Sequence, residues 1–392
     1  MKCPACKNKS LTHFFKVESV PVHSVLNIDR KKEAKNFKKG NINLAFCNNC
    51  AFIFNSEFDP ATNEYSTEYE ATQSYSGTFN KFHEELASTL IKKYGIKKKE
   101  LIEIGCGDGE FLELLSVKGN NKGTGFDPAY KGSGKKNKGN VQFVKDYYSE
   151  KHSKHKADFI CCKMTLEHIQ DVHGFMKTVR NTIGNRNTII FFQVPNFEKI
   201  LEDNAFWDIY YEHASYFTKT SLTALFKRTG FKDIETWTGY EDQYLMITAK
   251  PGTPSKEKPG RESVEKIKAL TKKFSEESMK AIDGWKKIIE SNAKRKKKTV
   301  VWSSSSKAVS FLTTLHVDEK KIRYAVDINP RRQGHFMAGT GQKIISPALL
   351  KNYQPDTAII MNPVYEEEIR ESLKRQGLNT ELIGINMYKE EN

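Results

Sequence analysis

A chain of 392 residues, 38% hydrophobic and 28% charged, is long enough to bury two or three domain cores. No run approaches the roughly 18 apolar residues of a membrane span, and Met1-Lys2-Cys3-Pro4 does not open a signal peptide, so a soluble, cytoplasmic protein is expected. The net charge of +15 is scattered lysine, and its runs at 97–99, 131–138 and 294–298 lack interleaved aromatics, which argues for a solvated surface over a nucleic-acid partner.

Residues 1–55 carry Cys3-x-x-Cys6 and Cys47-x-x-Cys50. Each pair turns two thiolates toward one ion, and four cysteines leave no open coordination position, so a structural zinc module is expected. Cys106, Cys161 and Cys162 fall in or beside apolar runs, and adjacent free thiols suit a reducing compartment. Residues 56–95 read as a connector containing Tyr65, Tyr69 and Tyr75, closed by an amphipathic helix over 78–94.

The next domain, 96–250, opens on LIEIGCGDGEF at 101–111. A buried strand runs into Gly105, Gly107 and Gly109, whose freedom allows a tight turn and close approach to a ligand, and a helix starts at Phe111. The spacing is G-x-G-x-G, with Glu103 two residues before the first glycine. The next strand, 123–126, ends in Asp127, placed about 20 residues on, where an acid meets ribose hydroxyls in doubly wound folds. Strands at 141–144 and 157–162 follow, with Asp146, Tyr147 and the sequence 163–168 in the loops at their carboxyl ends.

Residues 209–218, IYYEHASYFT, gather tyrosine, carboxylate and imidazole, with Gln193-Val194-Pro195-Asn196 shortly before them. Such a set can take a proton from carbon beside a carbonyl, with His213 as base, Tyr210 donating to the enolate oxygen and Glu212 fixing the imidazole. Spacing alone leaves open that Tyr210, Tyr211 and Tyr216 pack a core around a satisfied His213. Residues 251–260 are rich in proline and glycine and read as a linker; Val264, Ile267, Phe274, Ile282, Trp285 and Ile289 then mark the packing stripe of a long helix within 251–297. From 298 to 392, strands at 299–302, 323–326 and 356–361 suggest a second Rossmann-like sheet with no phosphate fingerprint, where Ser303 to Ser306 offer hydroxyls and amides at a helix N-terminus.

The glycine loop with Glu103 resembles motif I of class I S-adenosylmethionine-dependent methyltransferases. The whole chain resembles the C-methyltransferases that act on nucleotide-linked 4-keto-6-deoxyhexoses in deoxysugar biosynthesis: four-cysteine module, methyltransferase domain, the Y-x-E-H-x-S-Y-F segment and a C-terminal domain matched at 304–307, Val326-Asp327-x-Asn329-Pro330 and Ser346-Pro347. The resemblance implies an α/β architecture with a doubly wound cofactor sheet. It implies that S-adenosylmethionine is held by Glu103, Gly105, Gly107, Gly109, Asp127, Asp146 and Tyr147, with the adenine edge at the last two. Tyr210, Glu212 and His213 would serve substrate binding and proton abstraction, and His168 would contact the ketone or act as auxiliary acid and base. Tyr75, Asn196, Tyr216, Ser305 and Lys307 are expected on the acceptor side. The chain departs from the family pattern where Tyr240-Glu241-Asp242-Gln243 replaces His-Gly-Gly-Ser, where Ser303 to Lys307 replaces Gly-Ala-Ala-Ala-Lys, and where Asn362-Pro363 replaces Trp-Asn. A monomer or homodimer that C-methylates a nucleotide-linked keto sugar is expected; the alternatives are O- or N-methylation of another small metabolite, and a basic zinc-containing protein that binds or modifies RNA.

Overall fold

The computed structural model describes residues 1–62, 69–70, 72–132, 135–136 and 140–387; Tyr65 and much of the 131–138 lysine run lie outside the described residues. Among the described residues, three sheets form. The first joins β1 (Leu11–Pro21), β2 (Lys39–Cys47) and β3 (Ile53–Asn55), and is completed by β10 (Ser215–Tyr216), which pairs antiparallel with β3. The cysteine-bearing sheet therefore takes its last strand from the segment around His213.

The central sheet contains β4 (Glu100–Ile104), β5 (Lys122–Phe126), β6 (Lys135–Lys136), β7 (Asn140–Val144), β8 (Phe159–Lys163), β9 (Ile189–Pro195), β11 (Phe231–Gly239) and β12 (Tyr244–Pro251). Their order is β11-β12-β9-β8-β4-β5-β7-β6. From β9 to β7 all pairings are parallel, whereas β12 inserts antiparallel between β9 and β11. The central strands are apolar because helices cover both faces: four of the five residues of β4 and of β8 are buried. The order reverses at β4, so the crevice beyond the carboxyl ends of β4 and β8 is the ligand position of such a sheet.

The helix Gly77–Tyr94, one residue longer than the sequence suggests, starts where Ser76 accepts a hydrogen bond from Phe79 N and ends at Gly95 with φ +62°. The helix Arg261–Lys294 buries Val264, Ile267, Phe274, Trp285 and Ile289. These join Phe15, Phe206, Tyr211 and Phe311 in one apolar cluster, so the N-terminal sheet, the segment before His213 and the C-terminal sheet share a core. The third sheet is parallel, with β13 (Thr299–Trp302), β14 (Tyr324–Val326), β15 (Lys343–Ile345), β16 (Thr357–Ile360) and β17 (Glu381–Gly384) in the order β15-β14-β13-β16-β17. Among the described residues, no helix is long and apolar enough to cross a membrane.

Candidate active site

A cavity of about 1190 Å³ opens over the carboxyl ends of the central strands and reaches the C-terminal sheet; it is lined from Glu103 and Asp127 to His213 and Lys307. On one side, β4 delivers the chain into the glycine loop. Gly105 has φ +69°, and a Cβ there would stand 2.0 Å from Thr165 Oγ1; Gly109 has φ +84°, and its Cβ would meet Phe143 at 2.2 Å. Both positions therefore require glycine. Asp127 Oδ2 accepts from Gly107 N at 2.9 Å and Oδ1 from Ala129 N at 2.8 Å, which fixes its carboxylate at the end of β5. Glu103 is buried and its Oε2 has no hydrogen-bond partner among the described residues; burial lifts its pKa to about 7 against the pull of Lys163.

Lys163, at the end of β8, was absent from the sequence-derived set although it opens the loop that carries His168. Its Nζ donates to His83 Nε2 at 2.9 Å and lies 3.6 Å from the centroid of the Phe111 ring. Burial lowers the lysine pKa while Glu103 opposes the shift, and burial followed by the lysine charge takes His83 down to about 2. A neutral imidazole thus accepts from a buried ammonium beside Glu103. Asp146 and Tyr147 line the adjoining part of the cavity. The Asp146 carboxylate is already held by Lys151 at 2.5 Å and His152 at 3.0 Å, with Lys151 the main cause of its lowered pKa, so it shapes this wall while paired.

On the opposite side, the loop before β10 places Tyr210 and His213 in the cavity wall with His168. The His213 ring lies 4.2 Å from that of Tyr210 and 5.0 Å, edge-on, from that of His168. Burial, then the neighbouring His168, holds the His213 pKa well below its usual value, and burial raises that of Tyr210. The site therefore offers a neutral imidazole and a protonated phenol. His168 Nδ1 donates to Glu212 O at 2.9 Å, which sets its tautomer.

Two sequence expectations are corrected. Glu212 does not fix the imidazole of His213: its carboxylate accepts from Ser24 Oγ and lies 3.6 Å from His23 Nδ1, buried outside the cavity lining, while Ser24 Oγ accepts in turn from Ser306 Oγ at 2.7 Å. The side chain alternates away from its neighbour His213, and a polar partner from the N-terminal segment captures it. Tyr216 does not reach the cavity either; it is buried in the shared core, and its hydroxyl donates to Tyr210 O at 3.1 Å. It braces the loop that carries Tyr210.

Asn196, Ser305, Lys307 and the half-exposed Tyr75 do line the cavity. Asn196 Nδ2 donates to Asp242 O at 2.9 Å, and Lys307 Nζ pairs with Asp208 at 2.8 Å and reaches Gln243 Oε1 at 3.3 Å. The departures from the family pattern meet one another here. Gln243 and Asn362 form a reciprocal amide pair, each bond 3.1 Å, and Tyr240 donates to Tyr365 at 2.7 Å. Glu241 and Asp242 hold φ of +54° and +60°, the left-handed conformation that the glycines of the family motif suit.

The four module cysteines converge, all four sulfurs lying within 4.8 Å of one another. Cys3 Sγ and Cys50 Sγ are 3.8 Å apart and Cys6 Sγ and Cys47 Sγ 3.6 Å. Four thiolates about 2.3 Å from a common ion stand about 3.8 Å apart at tetrahedral angles, so the donor set fits such an ion. A second cluster, Glu167, His168 and His213, brings three side chains within 4.8 Å in the cavity itself. Glu167 was passed over in the sequence because it adjoins the more conspicuous His168.

Residues 79–236 match the family model of a methyltransferase domain, and residues 257–381 match that of the C-methyltransferase C-terminal domain. The chain is 22% identical over 323 residues to the C-methyltransferase NovU of Streptomyces niveus, covering 78% of this chain and 76% of NovU. Similar solved structures include an S-adenosylmethionine-dependent methyltransferase from Archaeoglobus fulgidus (18% identity, TM-score 0.33, 43% of this chain and 94% of that one). Another is a putative one from Listeria monocytogenes (12%, 0.32, 44% and 99%). The strand order, and not these low scores, places the central sheet in the class I fold. With the donor loop, the imidazole-phenol wall and the C-terminal sheet all in place, the chain belongs to the C-methyltransferase family of S-adenosylmethionine-dependent enzymes.

Proposed function

We propose that the chain methylates carbon beside the ketone of a nucleotide-linked keto-deoxysugar or a similar carbohydrate. The observation that carries this reading is His213: a buried imidazole, kept neutral, packed against a protonated Tyr210 in the wall of a cavity continuous with the glycine loop. When bound, S-adenosylmethionine supplies a sulfonium methyl group whose leaving group is a neutral thioether. The residues of the chain have the harder task of making and holding a carbon nucleophile.

In this reading Glu103 receives the ammonium of the donor, Asp127 its ribose hydroxyls, and the wall at Asp146 and Tyr147 its adenine. His213 takes the proton from the acceptor carbon, and Tyr210 donates a hydrogen bond to the enolate oxygen. His168, oriented by the Glu212 carbonyl, faces the same space. Asn196, Tyr75, Ser305 and Lys307 receive the rest of the acceptor, which the domain containing residues 298–392 helps to enclose. The four cysteines hold a structural zinc, which fixes the sheet that pairs with β10. Buried, protonated Cys161 and Cys162 are consistent with a reducing, cytoplasmic setting.

The test follows a carbon-bound proton. Nucleotide-linked 4-keto-6-deoxyhexoses, screened first by thermal shift with S-adenosylhomocysteine present, are incubated with the enzyme in deuterated water. Exchange of the proton beside the ketone, lost in His213→Asn, supports carbon methylation. Methyl transfer from labelled donor to oxygen or nitrogen without such exchange sinks it.

A further inference from the structure

Glu167 lies in the cavity wall, 1% exposed, and neither carboxylate oxygen has a hydrogen-bond partner among the described residues. A buried carboxyl that answers no partner in the resting protein is costly, and such groups mark sites where charge changes during function. One of its oxygens, a ring nitrogen of His213 and a ring nitrogen of His168 all lie within 4.8 Å of one another. Glu212, the carboxylate beside His213 in sequence, is turned to Ser24 and His23 and cannot serve the imidazole.

We propose that Glu167 is the positioning residue of the base, its carboxylate supplying the negative charge that His213 needs when it takes the proton from the acceptor carbon. The inference rests on the proton-abstraction reading of the site. In the step, the C–H bond breaks, its electron pair passes into the enolate, and the proton moves to the His213 ring. The positive imidazolium then stands beside the Glu167 carboxylate in a dry pocket, where opposite charges at this separation attract far more than in water.

The surroundings suit this division of roles. Facing Glu167 are Cys162 on β8, Tyr69, Tyr210, Tyr244 on β12 and the two imidazoles, and the thiol and phenols are held protonated by burial. Among the described residues, Glu167 forms no ion pair with lysine or arginine. Burial raises its pKa to about 8, against a smaller opposing pull from its own backbone amide. The carboxyl is therefore neutral at low pH and acquires its charge as pH rises through that range, so the exchange rate should climb there with it.

Exchange in deuterated water is measured on the full chain with S-adenosylhomocysteine bound, so that no methyl transfer intervenes, for wild type, Glu167→Gln, Glu167→Asp and Glu212→Gln between pH 6 and 9. The expected result is a wild-type rate that rises through about pH 8 and a Glu167→Gln rate about 10²-fold lower that has lost the rise. Glu167→Asp and Glu212→Gln should keep it. Calorimetric binding of S-adenosylhomocysteine certifies the fold of Glu167→Gln; if that variant does not bind, the profile of Glu167→Asp decides, and a flat one overturns the proposal. Wild-type rate and pH profile in Glu167→Gln overturn it, as does loss of one bound transition-metal ion per chain in that variant, which would make the cluster a metal site. Wild type that exchanges nothing overturns both this proposal and the reading beneath it, whereas an unaffected Glu167→Gln leaves carbon methylation standing.

Discussion

Lys163 donates to His83 across 2.9 Å, joining the end of β8 to the helix Gly77–Tyr94 beneath the donor loop. The ammonium is buried, and the Phe111 ring and the neutral His83 solvate it in place of water. Its nearest balancing charge is Glu103, whose carboxyl it pulls toward ionisation.

Replacing Lys163 by Met should therefore act on both donor affinity and stability. Loss of a charge-assisted contact to a buried group costs about 1.5–3 kcal/mol, or roughly 10- to 100-fold in binding. Calorimetric titration with S-adenosylhomocysteine checks the affinity, and urea unfolding checks the stability. An unchanged affinity would show that the lysine only fills the space under Phe111.

Glu103 makes the donor site sensitive to pH. Its folded pKa of about 7 lies above the usual glutamate value of 4.5, so between those limits the folded protein without ligand holds the proton more tightly than the unfolded chain. Stability therefore falls as pH rises from about 4.5 to 7, by at most about 3 kcal/mol for a shift of this size. Pairing with the donor ammonium favours the carboxylate, so binding near pH 6.5 should release a proton. Calorimetry in two buffers of different ionisation enthalpy measures the release, and Glu103→Gln should remove both effects.

The legibility of the chain follows the range of its interactions. The donor loop was readable because the constraints on Gly105 and Asp127 are local: a left-handed turn and a strand end. The C-terminal strands were readable from their continuous apolar runs. Glu212 was misread because its partner Ser24 lies 188 residues away, and no local pattern tells a side chain which of two flanks will capture it. Tyr216 was misread for a related reason: a tyrosine that lines a cavity and one that braces its wall have the same spacing. Lys163 and Glu167 were missed because each becomes unusual only when the sheet buries it.

The cysteine cluster should govern the acceptor side more than the donor side. The sheet that carries Cys47 is continuous with β3, β3 pairs with β10, and Asn55 N donates to Ala214 O, the residue after His213. Cys50→Ser should therefore lower the bound zinc content and the thermal midpoint, and reduce proton exchange at least tenfold, a change of about 1.4 kcal/mol. Affinity for S-adenosylhomocysteine should fall less, because Glu103 and Asp127 stand on β4 and β5. Metal analysis and parallel titrations separate the effects; equal losses on both sides would mean global unfolding.

Gln243 and Asn362 provide the test of how the two sheets share an acceptor. Their reciprocal amide bonds tie the β11–β12 turn to the end of β16, and Lys307 leans on the same Gln243 oxygen while paired with Asp208. Removing either amide leaves the other without its matched partner, so Gln243→Ala and Asn362→Ala should each raise the acceptor KM with little change in kcat. Because both changes break the same pair, the double variant should lose less than the sum, with a coupling of about 0.5–3 kcal/mol. Donor affinity should stay at the wild-type value, since neither residue touches the glycine loop. Additive effects on KM would show that the amides contact the acceptor separately; a common fall in kcat would place them instead in the alignment of acceptor carbon with His213.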